Sequence, residues 1–138
     1  SIIAQLVKSK DYKYGFYIRI SIVFYQKTDK HWFLIFLKEK LKYGSLRKRK
    51  DGTSEYTIVS SAPTKNILEL IVDHLIIKKN LAKLVLKIIE DKKNIEDINS
   101  FIEVCRLVDE TKSMTYSKKR KITTIDVIAY LDSLKLNN

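Results

Sequence analysis

The sequence holds a single cysteine, Cys105, so an internal disulfide framework and a cysteine-based zinc site are both excluded. Cys105 falls in the apolar spacing Phe101, Val104, Cys105, Val108, which marks a packed helical thiol rather than a nucleophile. Histidine is nearly as scarce, and His31 and His74 lie far apart with no metal-ligand spacing around either. No apolar run is long enough to span a bilayer; residues 67–77 come nearest and are interrupted by Glu69, Asp73 and His74. With one proline and three glycines there is no low-complexity linker, and no stretch repeats. Acidic residues are few: 16 against 27 lysines and arginines, a formal net charge of +11. Positive charge in that excess repels itself unless a polyanion neutralises it, which points to nucleic acid. A coding bias toward Lys, Ile, Asn and Tyr is the plainer source of the same composition.

What is present describes one soluble globular domain: 138 residues, 45% hydrophobic and 31% charged. Residues 1–93 read as strands with interposed helices and residues 94–138 as a helical tail. The chain opens at Ser1 directly on a strand-like run, residues 2–7, with no initiator methionine and no signal-like segment. A domain seldom starts in mid-strand, so a preceding segment is expected.

Residues 16–26 alternate with period two. Ile18, Ile20, Ile22 and Phe24 point one way, and Tyr17, Arg19, Ser21, Val23 and Tyr25 the other. Thr28 or Asp29 is placed to cap a helix through Trp32, Phe33, Phe36, Leu37 and Leu41. Two short strands, residues 45–49 and 55–60, are joined through Asp51-Gly52, a dipeptide that supplies the positive φ of a tight hairpin. Ser61 and Pro63 open a helix carrying Ile67, Leu68, Ile71 and Leu75. From Lys78 onward the spacing is helical, with stripes at Leu81, Leu84, Val85, Ile88, Ile89 and at Ile98, Phe101, Ile102, Cys105, Val108. Thr123 and Asp126 resemble a capping box before Val127, Ile128, Leu131 and Leu134. The expected fold is α+β, a four-stranded curved antiparallel sheet with packed helices and a helical tail.

Basic residues concentrate around the hairpin (Lys42, Arg47, Lys48, Arg49, Lys50), at Lys78 and Lys79, and in residues 118–121. Arg47 and Arg49 share a strand face, as do Glu55 and Thr57 on the partner strand, and with Tyr17 and Arg19 they make one polar sheet face. Arginine forks match the guanine edge in the major groove. A merely solvated strand face explains the same alternation equally well. The run at 118–121 suits phosphate neutralisation, which fixes register without reading sequence, or plain surface charge.

Several blocks, in order, resemble the LAGLIDADG homing endonucleases, and most closely their single-motif homodimeric branch. They are Ser1-Ile-Ile-Ala-Gln5, Gln26-Lys-Thr28, Trp32-Phe-Leu34, Leu84-Val-Leu-Lys-Ile-Ile-Glu90, Phe101-Ile-Glu-Val-Cys105 and Leu131-Asp-Ser-Leu134. The similarity runs from Ser1 to about Leu134 with one small length change near Asp51-Gly52. It implies a saddle-shaped fold whose sheet lies along the major groove of a long pseudo-palindromic duplex, one half read by each monomer, and Mg2+-dependent cleavage. By position it implies Gln26 and Lys78 in the reaction pocket, with Lys30 where the family usually has an arginine. Gln5, Tyr17, Arg19, Val23, Tyr25, Arg47, Arg49, Glu55 and Thr57 match base-reading positions, and Lys118 and Lys121 match backbone contacts. The family motif ends in a metal-binding acid, then Gly, then a Ser that matches Ser1, so that acid is expected just upstream and none of the metal ligands falls within the chain. An organellar location, chloroplast or mitochondrion, goes with the resemblance. Two other functions share the scaffold: an RNA-binding intron maturase and an inactive DNA-binding remnant.

Overall fold

Period-two hydropathy between residues 16 and 26 belongs to the long central strand of a sheet. The computed structural model describes residues 1–75, 78–114 and 122–136. Its four strands are β1 (Ile2–Lys8), β2 (Phe16–Lys27), β3 (Ser45–Lys48) and β4 (Thr53–Val59), antiparallel and ordered β1-β2-β4-β3. Ala4 pairs with Ile20, Ile22 with Ile58, Leu46 with Tyr56; Gln5 pairs with Arg19, Tyr25 with Glu55, and Glu55 with Arg47. Every pairing joins residues of the same parity. Even-numbered strand residues therefore line one side of the sheet and odd-numbered residues the other.

The even side is the core. Ile2, Ala4, Leu6, Phe16, Ile18, Ile20, Ile22, Tyr56 and Ile58 form one buried cluster with side chains from all five helices. Each large aliphatic side chain so buried contributes about 1.5–3 kcal/mol. The helices are α1 (His31–Leu41), α2 (Ser61–Ile71), α3 (Lys79–Lys93), α4 (Ile98–Thr111) and α5 (Thr124–Leu136). α1 lies against β2, β3 and β4, α2 against β2 and β4, and α3 against β1 and β2; α4 reaches β1, and α5 packs on α4.

The hairpin forms at Asp51-Gly52 as its residue types dictate. Gly52 takes φ +83°, the Asp51 carboxylate accepts the Thr53 N–H at 3.0 Å, and the Arg49 N–H donates to the Thr53 carbonyl at 2.8 Å. Its two strands end and begin slightly earlier than the sequence suggests. The helix-start signal at Thr123 and Asp126 is realised: the Thr123 N–H donates to Asp126 Oδ2 at 2.9 Å. Asp109 of α4 adds a second cap, accepting the Thr124 N–H at 3.1 Å. Between α3 and α4, Asp97 and Ser100 form a capping box that interrupts the helical pattern. The Ser100 N–H holds the Asp97 carboxyl below the ordinary carboxylate range. Cys105 is fully buried, and burial, with Asp109 nearby, pushes its thiol up to about 12. It is an inert core thiol. The apolar residues expected of α2 are placed as read for Ile67 and Leu68; the Ile71 side chain lies outside the described residues.

α1 departs from expectation. Neither Thr28 nor Asp29 caps it; residues Thr28–Lys30 form a 3-10 turn and Lys30 takes the cap position without a side-chain bond. Leu34 is buried against the sheet with Leu37 and Leu41 packed beside it, whereas Trp32, Phe33 and Phe36 are 65%, 40% and 49% exposed. Apolar residues occupy both sides of this helix, and the sheet can cover only one.

Ser60, between β4 and α2, sits at φ 132° and ψ 143°, a region that glycine alone occupies without strain. Ser60→Gly is expected to raise stability by about 1 kcal/mol, since relieved strain outweighs the added chain entropy. Urea denaturation measures it, and a lower midpoint contradicts the strain.

Candidate nucleic-acid interface

Pairing with period two gathers Gln5, Tyr17, Arg19, Val23, Tyr25, Glu55, Thr57 and Arg47 on the odd side of the sheet. Arg49 follows just beyond β3, bonded to Thr53. No odd-numbered strand residue belongs to the buried cluster that fills the even side. The residues differ in what they present. Tyr25 and Arg47 are exposed, Gln5, Tyr17, Arg19, Glu55 and Thr57 are half-buried, and Val23 is 6% exposed. Val23 therefore has a packed place, beside Ser1 and Thr57, and offers a ligand little surface.

Two ion pairs hold the hairpin arginines loosely. Arg47 Nη1 stands 3.6 Å from Glu55 Oε1, with the Arg47 side chain 72% exposed and that of Glu55 16%. Arg49 Nη2 stands 3.3 Å from Asp51 Oδ2. The Asp51 carboxyl is held below its ordinary range first by the Thr53 N–H and then by Arg49. Pairs this exposed are worth about 0–1 kcal/mol. They orient the guanidinium forks at little cost and release them readily to a stronger acceptor.

The residues implied for the reaction pocket sit elsewhere. Lys78 is half-buried immediately ahead of α3, its carbonyl accepting the Ala82 N–H at 2.9 Å. Ser1 is paired with Val23, whose N–H donates to the Ser1 carbonyl at 2.7 Å. Gln26 is further along β2 and opposite in parity to the reading residues; its Oε1 accepts the Lys27 N–H at 3.0 Å. It pairs with Ser54, whose Oγ meets His31 Nδ1 at 2.8 Å. Gln26 and Lys78 share no hydrogen bond, and Lys30 is exposed at the end of its 3-10 turn. Lys118 and Lys121 lie outside the described residues. Among the described residues no three His, Cys, Asp or Glu side chains gather to hold a metal, and no helix is long and apolar enough to cross a membrane.

One exposed aromatic carries no signal in the sequence. Tyr12, in the turn between β1 and β2, stacks on Tyr17 with ring centroids 4.7 Å apart and planes inclined by 24°. A turn residue has no parity, so its side could not be read from periodicity.

No protein-family model matches the chain. Two curated proteins do. DNA endonuclease I-CvuI of Chlorella vulgaris is 35% identical over 131 residues, which are 95% of this chain and 81% of that protein. DNA endonuclease I-CreI of Chlamydomonas reinhardtii is 37% identical over 135 residues, 97% of this chain and 82% of that protein. Among solved structures, homing endonuclease I-CvuI in complex with its target, in the presence of calcium, superposes with a TM-score of 0.89 and 34% identity. That match covers 98% of this chain and 86% of the other. I-CvuI has also been solved on an I-CreI target with magnesium, the DNA not cleaved. The archaeal homing endonuclease I-Vdi141I on DNA matches with a TM-score of 0.82 over 99% of this chain and 89% of the other; at 21% identity it speaks to the fold alone.

Proposed function

The chain belongs to the LAGLIDADG homing endonucleases, a family of site-specific DNA endonucleases, and from that we propose that its odd-numbered sheet face reads one half of a long, near-palindromic duplex in the major groove. The observation that carries this is parity. Tyr17, Arg19, Tyr25, Glu55, Thr57 and Arg47 share one side of a sheet whose other side is filled by the core. From Tyr17 to Lys27 β2 extends about 33 Å at roughly 3.3 Å per residue. That length matches about ten base pairs at roughly 3.4 Å each. Gln5, Tyr17, Arg19, Tyr25, Arg47, Arg49, Glu55 and Thr57 contact bases; Val23 serves mainly to pack the centre of that face. Lys118 and Lys121 neutralise phosphates.

The reaction is hydrolysis of a phosphodiester in each strand. Lys78 offers its ammonium to the charge that builds on the phosphate, and Gln26 turns its amide from Lys27 to hold the attacking water. Lys30 supplies a second positive charge at the rim, without the fork of an arginine. The family's divalent ion, Mg2+ in this reading, stabilises charge on the phosphate when bound. The described residues do not by themselves form its ligand set, and its carboxylate is that of the family motif, beside Ser1. Two copies act together on a twofold site. The outward side of α1, with Trp32 and Phe36, gives them apolar surface to share. An organellar compartment, chloroplast or mitochondrion, fits the family's intron-encoded branch.

Salt tests the electrostatic part. Between 50 and 200 mM salt, affinity for duplex DNA is expected to fall by about 10³–10⁵-fold, as for a protein making roughly 6–10 phosphate contacts. Duplex RNA is expected to compete poorly, because its deep narrow groove shuts out a sheet. A filter-binding titration with an RNA competitor decides; salt-independent binding, or preference for RNA, overturns the reading.

A further inference from the structure

We propose that Tyr130 of α5 is a positioning residue that holds the turn at residues 9–15, and through it the Tyr12–Tyr17 stack, in place to read bases at that end of the sheet. The inference rests on the odd face being the DNA-reading surface.

The turn is closed by its own backbone: the Ser9 N–H donates to the Gly15 carbonyl and the Gly15 N–H to the Tyr12 carbonyl, both at 2.9 Å. It is then clamped on its helical side. The Tyr130 ring lies so near Gly15 that a Cβ there would fall 2.4 Å from its Cε1, and Gly15 has φ +78°. Tyr130 also meets Phe16 edge-on at 5.5 Å, and Lys8 Nζ stands 5.5 Å from its ring centroid. Lys8 and Phe16 are the last paired residues of β1 and β2, so one ring touches both strand ends and the turn's final residue. Tyr14 stacks on Phe101 of α4 at 4.9 Å and anchors the same turn from a second helix.

Opposite that clamp, Tyr12 is 51% exposed and stacked on Tyr17, an odd-face residue. The pair forms a flat apolar extension of the reading surface, at a point where a free turn would sample many positions. Base discrimination requires a contact group held to a fraction of an ångström. A tail helix that contributes no reading residue thus fixes the geometry of one end of the site.

The test selects duplexes from a randomised pool with the full chain and compares position-by-position preferences. Tyr12→Ala identifies the base pairs that the stack reads. Tyr130→Ala, and Gly15→Ala from the other side of the contact, are expected to lose preference at those same pairs and keep it at the others, and Tyr130→Phe to match the wild type. A readout without DNA accompanies it. Amide exchange at Ser9 and Gly15 is expected to quicken by at least about tenfold in Tyr130→Ala, with α3 unchanged, as for a local opening. Uniform loss of preference in step with the melting temperature, or unchanged preference, or unchanged exchange at Ser9 and Gly15, overturns the proposal. A wild-type chain that enriches no duplex refutes the DNA reading itself, and the exchange comparison tells the two failures apart.

Discussion

Replacing Arg47 and Arg49 together by alanine is expected to weaken binding to a selected duplex by about 10²–10³-fold, from ~1–3 kcal/mol for each forked contact to a base edge. Both side chains already point from the hairpin with a single carboxylate partner each, half-buried Glu55 at 3.6 Å and exposed Asp51 at 3.3 Å. Little is lost when those partners are exchanged for a guanine edge, so most of the contact energy appears as affinity. The control removes the same charge from elsewhere. Lys48 has the opposite parity in β3, and Lys87 of α3 is paired with Asp91 at 3.0 Å. Lys48→Ala with Lys87→Ala is expected to cost no more than about tenfold, the share owed to general attraction for phosphate. Gel-shift titrations at fixed salt compare the two. Equal losses would mean that total charge, not the odd face, sets the binding.

Lys78→Met is expected to slow strand cleavage by about 10²–10³-fold while changing duplex affinity by less than about threefold, the pattern of a group that acts on charge built in the transition state. The measurement needs a chain that carries the family's acidic motif ahead of Ser1. Lys78 is suited to the role by position. It is half-buried immediately ahead of α3, and its carbonyl accepts the Ala82 N–H. Gln26→Ala is expected to cost less, about tenfold, because the amide is not fixed toward a reactant; it bonds to Lys27 and must turn. Single-turnover cleavage separates the effects. An undiminished rate in Lys78→Met would remove Lys78 from the reaction pocket.

The sheet was legible because its signals are local. Alternation across residues 16–26 fixes which side of β2 meets the core whatever the strand's neighbours, and Asp51-Gly52 fixes the hairpin register that puts Arg47 opposite Glu55. The helix start at Thr123 and Asp126, where the Asp126 carboxylate accepts the Thr123 N–H, is likewise a matter of four consecutive residues. Tertiary choices were not legible. α1 is apolar on both sides, so its residues alone do not say that Leu34 turns inward while Trp32 and Phe36 face out. Val23 alternates like a surface residue and is nevertheless packed between β1 and β4. Gln26 continues β2 but takes the parity of the core, which sets it apart from the reading residues near it in sequence. The Tyr12–Tyr17 stack depends on how a turn folds back, and its anchor, Tyr130, comes from a helix more than a hundred residues later.

Methyl resonances followed through a titration with a selected duplex test the DNA-reading face most directly, since both sides of the sheet carry probes. Shifts are expected at Ile3, Val7, Thr57 and Val59 on the odd side, with Ile18, Ile20, Ile22 and Ile58 on the even side nearly still. Binding accompanied by shifts in the helices or the even side, and none on the odd, would contradict it.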